Sequence, residues 1–468
     1  MSAKVRKKVK RSKVLQRAPA MVSGRPLLSL AMMVKDEEAF IEDALRSARG
    51  WVDELVVVDT GSTDRTVEIA RDLGATVSFF PWCDSFSIAR NETLRRSTGR
   101  YVAILDADER FRGAHPEAIR PHLKPGPRHP YEAFSVQVVN TRLDGAPISS
   151  FFSARFFPND ERLGYSGRVH NRFGALAPDA PKVLVTKYLG LQVVHLGYDP
   201  ALYEARQKAA RSLPLIEATV REEPDNLQHR YYLGREYLLL GRVDEAIATL
   251  EGTVSALLAA PDRGPLAEAA TSLLSAYEAA GGRPTEALTV GRAAIARVGD
   301  HPDLWFGVAR ALAALDQKAV AVQAADRALA ALGRVHDAQI QLAHGRWQAH
   351  ELIGRLCFDL GQYPDAYRHD LAALDDKPAA SPGWPVLLNS VCALAIELGD
   401  TARVPDLLER LLAQPEAPLG MFFFEVERRA RASGVEAARG LLVGASARHP
   451  RIVADAEYPP WARRLGVA

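Results

Sequence analysis

The stretch Tyr101-Val-Ala-Ile-Leu-Asp-Ala-Asp-Glu-Arg110 decides the fold of the first half of this chain. Its opening apolar run, residues 101–105, indicates a short parallel strand that is buried on both faces. Two carboxylates, Asp106 and Asp108, follow at positions i and i+2 and leave the same face of the strand. In open α/β folds, ligands bind where such strands end. Paired carboxylates there can hold a hard cation that neutralises a diphosphate, although acidic pairs are also common in ordinary solvated turns.

Two further strand–helix units precede this stretch. Strands are predicted at residues 28–34, 55–58 and 75–80, and residues 86–97 form the helix that leads into the acidic strand. Strands that alternate with helices predict an α/β domain with a mostly parallel, Rossmann-like sheet and right-handed crossovers. Asp36 follows the first strand and Asp59 the second, so both are expected to meet the acidic pair at one edge of the sheet.

A dinucleotide site is the alternative for a parallel sheet that contains a glycine turn. It would need Gly-x-Gly-x-x-Gly after the first strand, but the residues there are Lys35-Asp36-Glu37-Glu38. Acidic groups at that turn repel a pyrophosphate that lacks a metal ion, so we set this alternative aside.

Four short motifs lie in order between residues 27 and 112. They are Met33-Val-Lys-Asp-Glu-Glu38, Val58-Asp-Thr-Gly-Ser-Thr-Asp-Arg-Thr66, Ala89-Arg-Asn91 and Leu105-Asp-Ala-Asp-Glu109. Their order and spacing resemble those of family 2 glycosyltransferases, which have a GT-A fold. The resemblance implies a nucleotide-diphosphate sugar donor, a divalent cation (Mg²⁺ or Mn²⁺) and inversion at the anomeric carbon. Residues 27–199 are accordingly predicted to be the catalytic domain.

The resemblance also implies roles for individual residues. Asp59 would contact the nucleoside base, and Arg90 would lie near the base or the diphosphate. Asp106 would approach the ribose and the metal, and Asp108 would be the main metal ligand. Asp36, at the same edge, completes the predicted nucleotide-sugar site.

Two later segments continue the resemblance, to a subgroup that fuses this catalytic domain to helical repeats. They are Tyr165-Ser-Gly-Arg-Val-His-Asn171 and Val193-Val-His-Leu-Gly-Tyr198. His195 ends a predicted strand, and its imidazole is a candidate metal ligand opposite the acidic pair. A hydrogen-bonded structural histidine is the competing interpretation.

The general base is the open position of this prediction. In the subgroup the first motif usually contains Val-His-Glu, whereas this chain has Asn171 in place of the glutamate. An amide cannot accept a proton as a general base. The candidate bases are therefore Asp144, Asp160, Glu161 and Asp179, which the sequence does not rank. Arg155 and Arg168 are expected on a solvated face.

From residue 226 onward the chain is self-similar and rich in Ala and Leu. The pattern Leu233-Gly-Arg-Glu-Tyr237, Gly241, Ala246 and Leu250 matches tetratricopeptide spacing, and 353–373 repeats it with the same offsets. An all-α, tetratricopeptide-like solenoid is predicted over residues 226–449, with a glycine ending the first helix of each pair. Its concave face suits a protein or peptide partner. Residues 200–225 are predicted as a connecting helix and 450–468 as a C-terminal tail.

Composition favours a cytoplasmic protein. No apolar run approaches the roughly 20 residues that a membrane span needs, and three cysteines at unrelated spacings indicate reduced thiols without a zinc pattern.

Residues 1–25 hold nine of the 59 Lys and Arg residues and no acid, so the rest of the chain carries 50 basic and 57 acidic residues. This predicts a disordered basic tail over residues 1–26. The tail is either solvated or in contact with nucleic acid or the anionic inner membrane surface, which would make the protein peripheral there.

These observations predict an inverting, metal-dependent glycosyltransferase of hexosyltransferase type. Its repeats would bind an acceptor, whether protein, peptide or glycan, or another protein partner. The rival function is a nucleotide-binding scaffold that acts through its repeats and no longer turns over. Asn171 favours the scaffold, and the intact acidic pair favours the enzyme.

Overall fold

The computed structural model describes most of the chain outside its first 24 residues. The described residues are 25–113, 115–123, 131–197, 199, 208–334, 340, 342, 345–378, 381, 383–400, 402–413 and 419–467. The chain divides into two compact units, with the boundary after Leu240. Nearly all of the predicted basic tail and part of the predicted connecting helix, residues 200–207, lie outside the described residues.

The first unit is built on an eight-stranded sheet with the strand order β3-β2-β1-β4-β7-β6-β10-β5. Its strands are β1 (Leu28–Val34), β2 (Glu54–Asp59), β3 (Thr76–Phe79), β4 (Tyr101–Ile104), β5 (Glu109–Arg112), β6 (Glu132–Thr141), β7 (Pro147–Pro158) and β10 (Leu184–His195). A separate hairpin pairs β8 (Leu163–Ser166) with β9 (Arg172–Ala175). The first four strands in the order are parallel, whereas β7 is antiparallel to both neighbours and β5 is antiparallel to β10. The sheet is therefore mixed.

The predicted strand–helix units of this sheet are confirmed. The helices of the first unit are α1 (Ile41–Ala48), α2 (Thr66–Asp72), α3 (Phe86–Arg96), a 3₁₀ helix (Pro116–His122), α4 (Lys208–Glu222) and α5 (Leu227–Leu239). Every residue of β4 is buried, as its apolar sequence predicts for a strand covered on both faces. On α1, the apolar residues Ile41, Ala44, Leu45 and Ala48 form one stripe that is fully buried against the sheet core.

The strand β5 was not predicted, and it positions the acidic stretch. The chain turns sharply after β4, because the Glu109 amide donates to the Asp106 carbonyl over 3.0 Å. It then runs along β10, where Glu109 lies opposite His195 in the register. The Leu196 amide also donates to the Asp108 carbonyl over 3.0 Å. The carboxyl ends of two strands that are distant in the sheet order, β4 and β10, are thereby held together.

Helices α4 and α5 belong to the same compact unit as the sheet. Val169, Ile216 and Leu233 form a buried cluster that joins both helices to the loop after β8. On the surface, Arg168 forms an ion pair with Glu222 over 2.6 Å. The helix at 227–239, which the repeat pattern assigns to the solenoid, therefore packs within the first unit.

The second unit consists of helices arranged as antiparallel pairs. They are α6 (Val243–Ala259), α7 (Leu266–Ala279), α8 (Pro284–Val298), α9 (Pro302–Ala314), α10 (Lys318–Ala331), α11 (Arg346–Asp359), α12 (Tyr363–Asp376), α13 (Trp384–Glu397), α14 (Val404–Leu412), α15 (Gly420–Ser433), α16 (Val435–Arg448), α17 (Arg451–Ala454) and α18 (Tyr458–Arg464). Where the first helix of a pair ends, the chain has a positive φ at Gly281, Gly361, Gly399 and Gly434, and Gly241 has a positive φ just after α5. These glycines confirm the predicted helix ends, since a left-handed residue is cheapest as glycine. In one pair Asp316, with φ of 57°, takes that position.

No helix in the described part of the chain is long and apolar enough to cross a membrane. The last two helices, α17 and α18, lie within the stretch predicted as a C-terminal tail.

Candidate functional site

The acidic edge of the sheet carries an ion pair between Arg90 and Asp106. Arg90 lies on α3 and donates from Nη2 to Asp106 Oδ1 over 2.8 Å. The Asp106 side chain keeps 38% of its surface accessible, whereas that of Arg90 keeps 13%. The guanidinium also lies 5.3 Å from the ring centroid of Tyr165. The predicted nucleotide-site residues Arg90 and Asp106 are thus neighbours at this edge of the sheet.

A second, fully buried ion pair supports the first. Arg155 on β7 donates from Nη2 to Glu109 Oε1 over 2.6 Å, and the Glu109 side chain is only 1% exposed. The other carboxylate oxygen of Glu109 accepts the backbone amide of Asp106 over 3.0 Å. Glu109 therefore fixes the turn that carries the acidic pair. The expectation that Arg155 is solvated was wrong, because alternation along β7 directs its side chain into this network.

His195 and Asp108 lie close together, and the role of His195 as a metal ligand stays a prediction. His195 Nε2 lies 3.5 Å from Asp108 Oδ1, and both side chains are largely buried. His195 Nδ1 lies 2.8 Å from Asn140 Oδ1, while the Asn140 amide group donates to Ser149 Oγ over 2.7 Å. Asn140 Oδ1 accepts from His195 Nδ1–H, which leaves Nε2 as the ring nitrogen that faces Asp108. Nε2 donates to that carboxylate when it carries a proton, and its lone pair becomes available only to a cation that displaces the proton.

The charges at this edge shift one another's pKa values. Burial raises the pKa of Asp106, but the neighbouring Arg90 and Arg155 outweigh it, so the net pKa lies below its ordinary value. For Arg90, burial lowers the pKa and Asp106 more than offsets this, so the pKa lies above its ordinary value. For Glu109, burial dominates and raises the pKa despite the ion pair with Arg155. Asp106 and Arg90 therefore both remain charged at neutral pH.

The loops after β1 and β2 are tied together by the other two predicted residues. The Asp36 backbone has a positive φ of 52°, and its carboxylate accepts the Thr63 amide over 2.7 Å. Asp59 is 2% exposed, and its carboxylate accepts the amides of Gly61 over 3.0 Å and Ser62 over 3.1 Å. Both carboxylates thus fix the shape of the loops that follow β1 and β2. Their predicted contacts with a nucleotide sugar stay predictions.

Comparison with known proteins identifies the domain that holds this edge. Residues 29–171 match the family model described as "Glycosyl transferase family 2". This region is a family 2 glycosyltransferase domain. The glycosyltransferase SunS encoded by the SPbeta prophage of Bacillus subtilis is 26% identical over 237 residues, covering 50% of this chain and 54% of that protein. An uncharacterized glycosyltransferase of Rickettsia bellii is 47% identical over 87 residues, covering 18% of this chain and 28% of that protein.

A TPR repeat-containing protein of Synechococcus elongatus is 30% identical over 213 residues, covering 42% of this chain and 49% of that protein. The chain thus spans about half the length of the first curated relatives that it matches. Among solved structures, a tetratricopeptide repeat protein of Parabacteroides merdae is 15% identical. The match covers 52% of this chain and 88% of that protein, with a TM-score of 0.33.

The four candidate bases differ in their exposure and in their hydrogen-bond partners. Asp144 is exposed in the β6–β7 turn and accepts the Ala146 amide over 2.9 Å. Glu161 is exposed, and Asp179 is 76% exposed. Among the described contacts, none of the four touches Asp106, Asp108 or His195, so the base assignment stays a prediction.

Asp160 is the most constrained of these four carboxylates. It accepts hydrogen bonds from Arg162 over 2.7 Å and from the Tyr131 hydroxyl over 2.8 Å. The Arg162 hydrogen bond is the main cause that holds the pKa of Asp160 well below its ordinary value. A carboxylate with so low a pKa is a weak proton acceptor, which disfavours Asp160 as the general base.

The departure from the family pattern, Asn171, lies in the loop that packs on α5. Its neighbour His170 has a positive φ of 48° and stacks on Tyr232, with ring centroids 3.8 Å apart. His170 Nε2 also lies 3.7 Å from Glu236 Oε1. Burial lowers the pKa of His170. His170 therefore anchors helix α5 to the glycosyltransferase domain rather than facing the acidic edge.

The donor set at the edge fits a divalent cation only in part. In the described ranges, no three His, Cys, Asp or Glu side chains are grouped to hold a metal ion by themselves. Asp108 and the Nε2 lone pair of His195 converge, and cations such as Mg²⁺ commonly take one or two protein ligands and complete their shell with substrate phosphates. The residues therefore fit a cation that arrives with a diphosphate.

Sequence reasoning missed Glu109, Arg155 and Asn140. Glu109 directly follows the Asp-x-Asp pair, and Asn140 ends a strand that was predicted, so position alone gave a signal for both. The only sequence signal for Arg155 was its position in a strand, where side chains alternate between the two faces. Its burial depends on a pairing between distant strands that local pattern does not specify.

Proposed function

We propose that this chain is a metal-dependent, inverting glycosyltransferase of hexosyl type that moves a sugar from a nucleotide-diphosphate donor to an acceptor. The observation that carries this proposal is the convergence of Asp108 with His195 Nε2 at 3.5 Å, beside the Arg90–Asp106 pair. A buried carboxylate and an imidazole lone pair are donors for a hard cation. An adjacent arginine is suited to an anionic leaving group.

In this mechanism, Asp108 and His195 would hold the cation, and a bound cation would neutralise charge on the donor diphosphate. Asn140 keeps His195 in the tautomer that offers Nε2. Arg90 donates to the diphosphate oxygens as the bond from the sugar C1 to the leaving oxygen breaks. A carboxylate takes the proton of the acceptor nucleophile as that nucleophile bonds to C1 from the opposite face, which inverts the configuration.

The network behind the edge supplies rigidity. Glu109 holds the Asp106 backbone, and its buried partner Arg155 keeps the Glu109 carboxylate in place. Charged groups that are already oriented need no reorganisation when negative charge develops on the leaving group. We infer that the Glu109–Arg155 ion pair is retained for this rigidity, although burying two charges is costly.

A specific observation favours one rival function, a nucleotide-binding scaffold with little or no turnover. Asn171 stands where the resembling subgroup has a glutamate, and its Nδ2 is buried without a hydrogen-bond partner among the described residues. If no other carboxylate serves as the base, the domain would bind a donor without transferring the sugar.

A donor panel separates the two functions. The full-length chain is incubated with a set of nucleotide-diphosphate sugars and Mn²⁺ or Mg²⁺, and released nucleoside diphosphate is measured beside calorimetric donor binding. The enzyme is expected to release diphosphate from at least one donor, and Asp108→Asn is expected to abolish the metal dependence of donor binding. Asp72→Asn, an exposed residue on α2, is the matched control and should behave as the parent chain.

Two results would contradict the proposal in different ways. Donor binding without any release, across the whole panel, would support the scaffold. Equal donor affinity with and without Mn²⁺ in the parent chain would refute the metal site at Asp108 and His195.

A further inference from the structure

The helical unit contains a large cavity that the proposed chemistry does not use. Its volume is about 940 Å³, within the range of ligand-binding cavities. It is lined mainly by α9, α11 and α13, the first helices of three successive pairs, with two residues from α12. A smaller cavity of about 180 Å³ shares part of this lining and extends it toward α7.

The walls of this cavity already attract the chain's own cations. Lys377 forms an ion pair with Glu351 over 3.0 Å and lies 4.6 Å from the ring centroid of Trp347. Arg310 is paired with Glu278 in the same way. Both arrangements combine a carboxylate with an aromatic surface, which is the environment that stabilises a partly desolvated cation. These cations neutralise Glu351 and Glu278. The other charged residues of the lining are Arg355, Glu397 and one buried carboxylate.

That carboxylate is Asp370, which lines the cavity and is only 6% exposed. No described residue donates a hydrogen bond to it or forms an ion pair with it. Gly354 packs against it so closely that a Cβ there would lie 1.8 Å from Asp370 Oδ1. A buried carboxylate without a partner is costly, so a ligand that supplies a positive charge would gain the whole interaction.

Two aromatic side chains at the edge of the same cavity remain accessible. Phe358 is 52% exposed and Tyr363 is 42% exposed. Their ring centroids lie 5.3 Å apart in an edge-to-face arrangement. Exposed aromatic pairs beside a carboxylate are suited to the alkyl stem and charged head of a lysine or arginine side chain.

We propose that this cavity binds a basic segment of a protein partner, with a Lys ammonium or an Arg guanidinium paired to the Asp370 carboxylate and its stem packed on Phe358 and Tyr363. Charge complementarity selects this occupant, because an acidic or neutral segment would leave Asp370 unpaired. The binding of a basic segment does not depend on the proposed function. The assignment of this segment to the glycosyl acceptor rests on the proposed function.

The test measures peptide binding to the full-length chain by fluorescence anisotropy, without donor or metal. The probes are three fluorescein-labelled decapeptides of alternating Ala and Leu that carry three Lys, three acetyl-lysine or three Glu residues. The lysine peptide is expected to bind, and the other two are not. Asp370→Asn should weaken lysine-peptide binding by about 10- to 100-fold, the usual loss for a hydrogen bond to a charged group. The exposed carboxylate of the same helix, changed in Asp365→Asn, is the matched control and should leave binding unchanged.

Phe358→Ala is a second variant at an exposed position, where folding is not at risk, and should also weaken binding. Equal binding of all three peptides, or full binding by Asp370→Asn, would overturn the inference. Asp108→Asn should bind the lysine peptide as the parent does. Sugar transfer without peptide binding would therefore refute only this inference, and peptide binding without transfer would refute only the proposed function.

Discussion

The unmatched carboxylate of Asp370 should make the helical unit less stable as pH rises, and Asp370→Asn should remove that dependence. Burial, with a smaller contribution from Glu351, raises the pKa of Asp370 from 3.8 to about 7. Below pH 4 the carboxyl is protonated in the folded and the unfolded chain, so it contributes no penalty. Between pH 4 and 7 only the unfolded chain loses the proton, and the penalty grows until both states are ionised.

The size of the penalty follows from those two pKa values. The difference between the two pKa values corresponds to a loss of about 4 kcal/mol of folding free energy at pH 8. This value is an upper limit, because hydration of the open cavity would reduce the penalty. The asparagine variant has a constant side-chain polarity across this range. Its stability relative to the parent is therefore expected to rise from pH 4 to pH 7 and to stay level above pH 7.

Urea unfolding of the full-length chain, followed by circular dichroism at 222 nm between pH 4 and 8, measures this difference. Asp365→Asn is the matched control and should leave the pH profile of the parent unchanged. A stability difference between Asp370→Asn and the parent that does not change with pH would refute the reasoning. An Asp370→Asn variant that is less stable than the parent at pH 8 would also refute it. Either result would show that Asp370 has a partner in solution or that water reaches it freely.

Glu109→Gln should lower the free energy of unfolding by about 3–5 kcal/mol, because Arg155 would keep a buried charge without its partner; thermal unfolding measures the loss, and Glu109→Gln with Arg155→Met should recover most of it. Asn140→Leu removes the acceptor of His195 Nδ1 and should weaken Mn²⁺ affinity by about 10- to 100-fold in calorimetry with nucleotide present; unchanged affinity would show that His195 is not a ligand. Removing the carboxylate that serves as base, among the four candidates, should lower turnover by about 10²–10⁴-fold with donor binding unchanged; full activity in all four variants would place the base elsewhere. A chain shortened to end at Leu240, the boundary of the first compact unit, should still hydrolyse donor slowly but transfer poorly to the native acceptor; unchanged transfer would refute a role of the repeats in acceptor binding.

Local pattern was enough to predict the parallel half of the sheet. The apolar runs that form β1, β2 and β4 are short and bounded by polar turns, so their burial follows from composition alone. The sequence also placed His195 opposite the acidic pair, because the predicted strands end at one edge of the sheet, whereas the turn between β4 and β5 that carries Asp108 was not predicted. The repeats gave an equally local signal, since each glycine marks a left-handed residue at a helix end.

What the sequence could not supply was pairing between distant segments. The residues of β5 look like the continuation of an acidic turn, and only their partner β10 makes them a strand. The burial of Arg155 depends on a second pairing of this kind, because β7 lies beside β4, from which it is more than 40 residues away in the sequence. Asp370 gave no signal at all: an acidic residue on an amphipathic helix is normally solvated, and its burial results from the close approach of α11 at Gly354.

The ion pair at the acidic edge bears on the order of events when a donor binds. Arg90 occupies Asp106 Oδ1 at 2.8 Å, so Asp106 cannot offer that oxygen to a cation while the pair persists. In the proposed site, Asp108 and His195 would then be the protein ligands of a cation, and two protein ligands hold a cation weakly without phosphate oxygens. A diphosphate competes with Asp106 for Arg90, since both are anionic acceptors for the same guanidinium. Donor binding would therefore free Asp106 at the moment when the cation gains its phosphate ligands, which couples cation affinity to the presence of the donor.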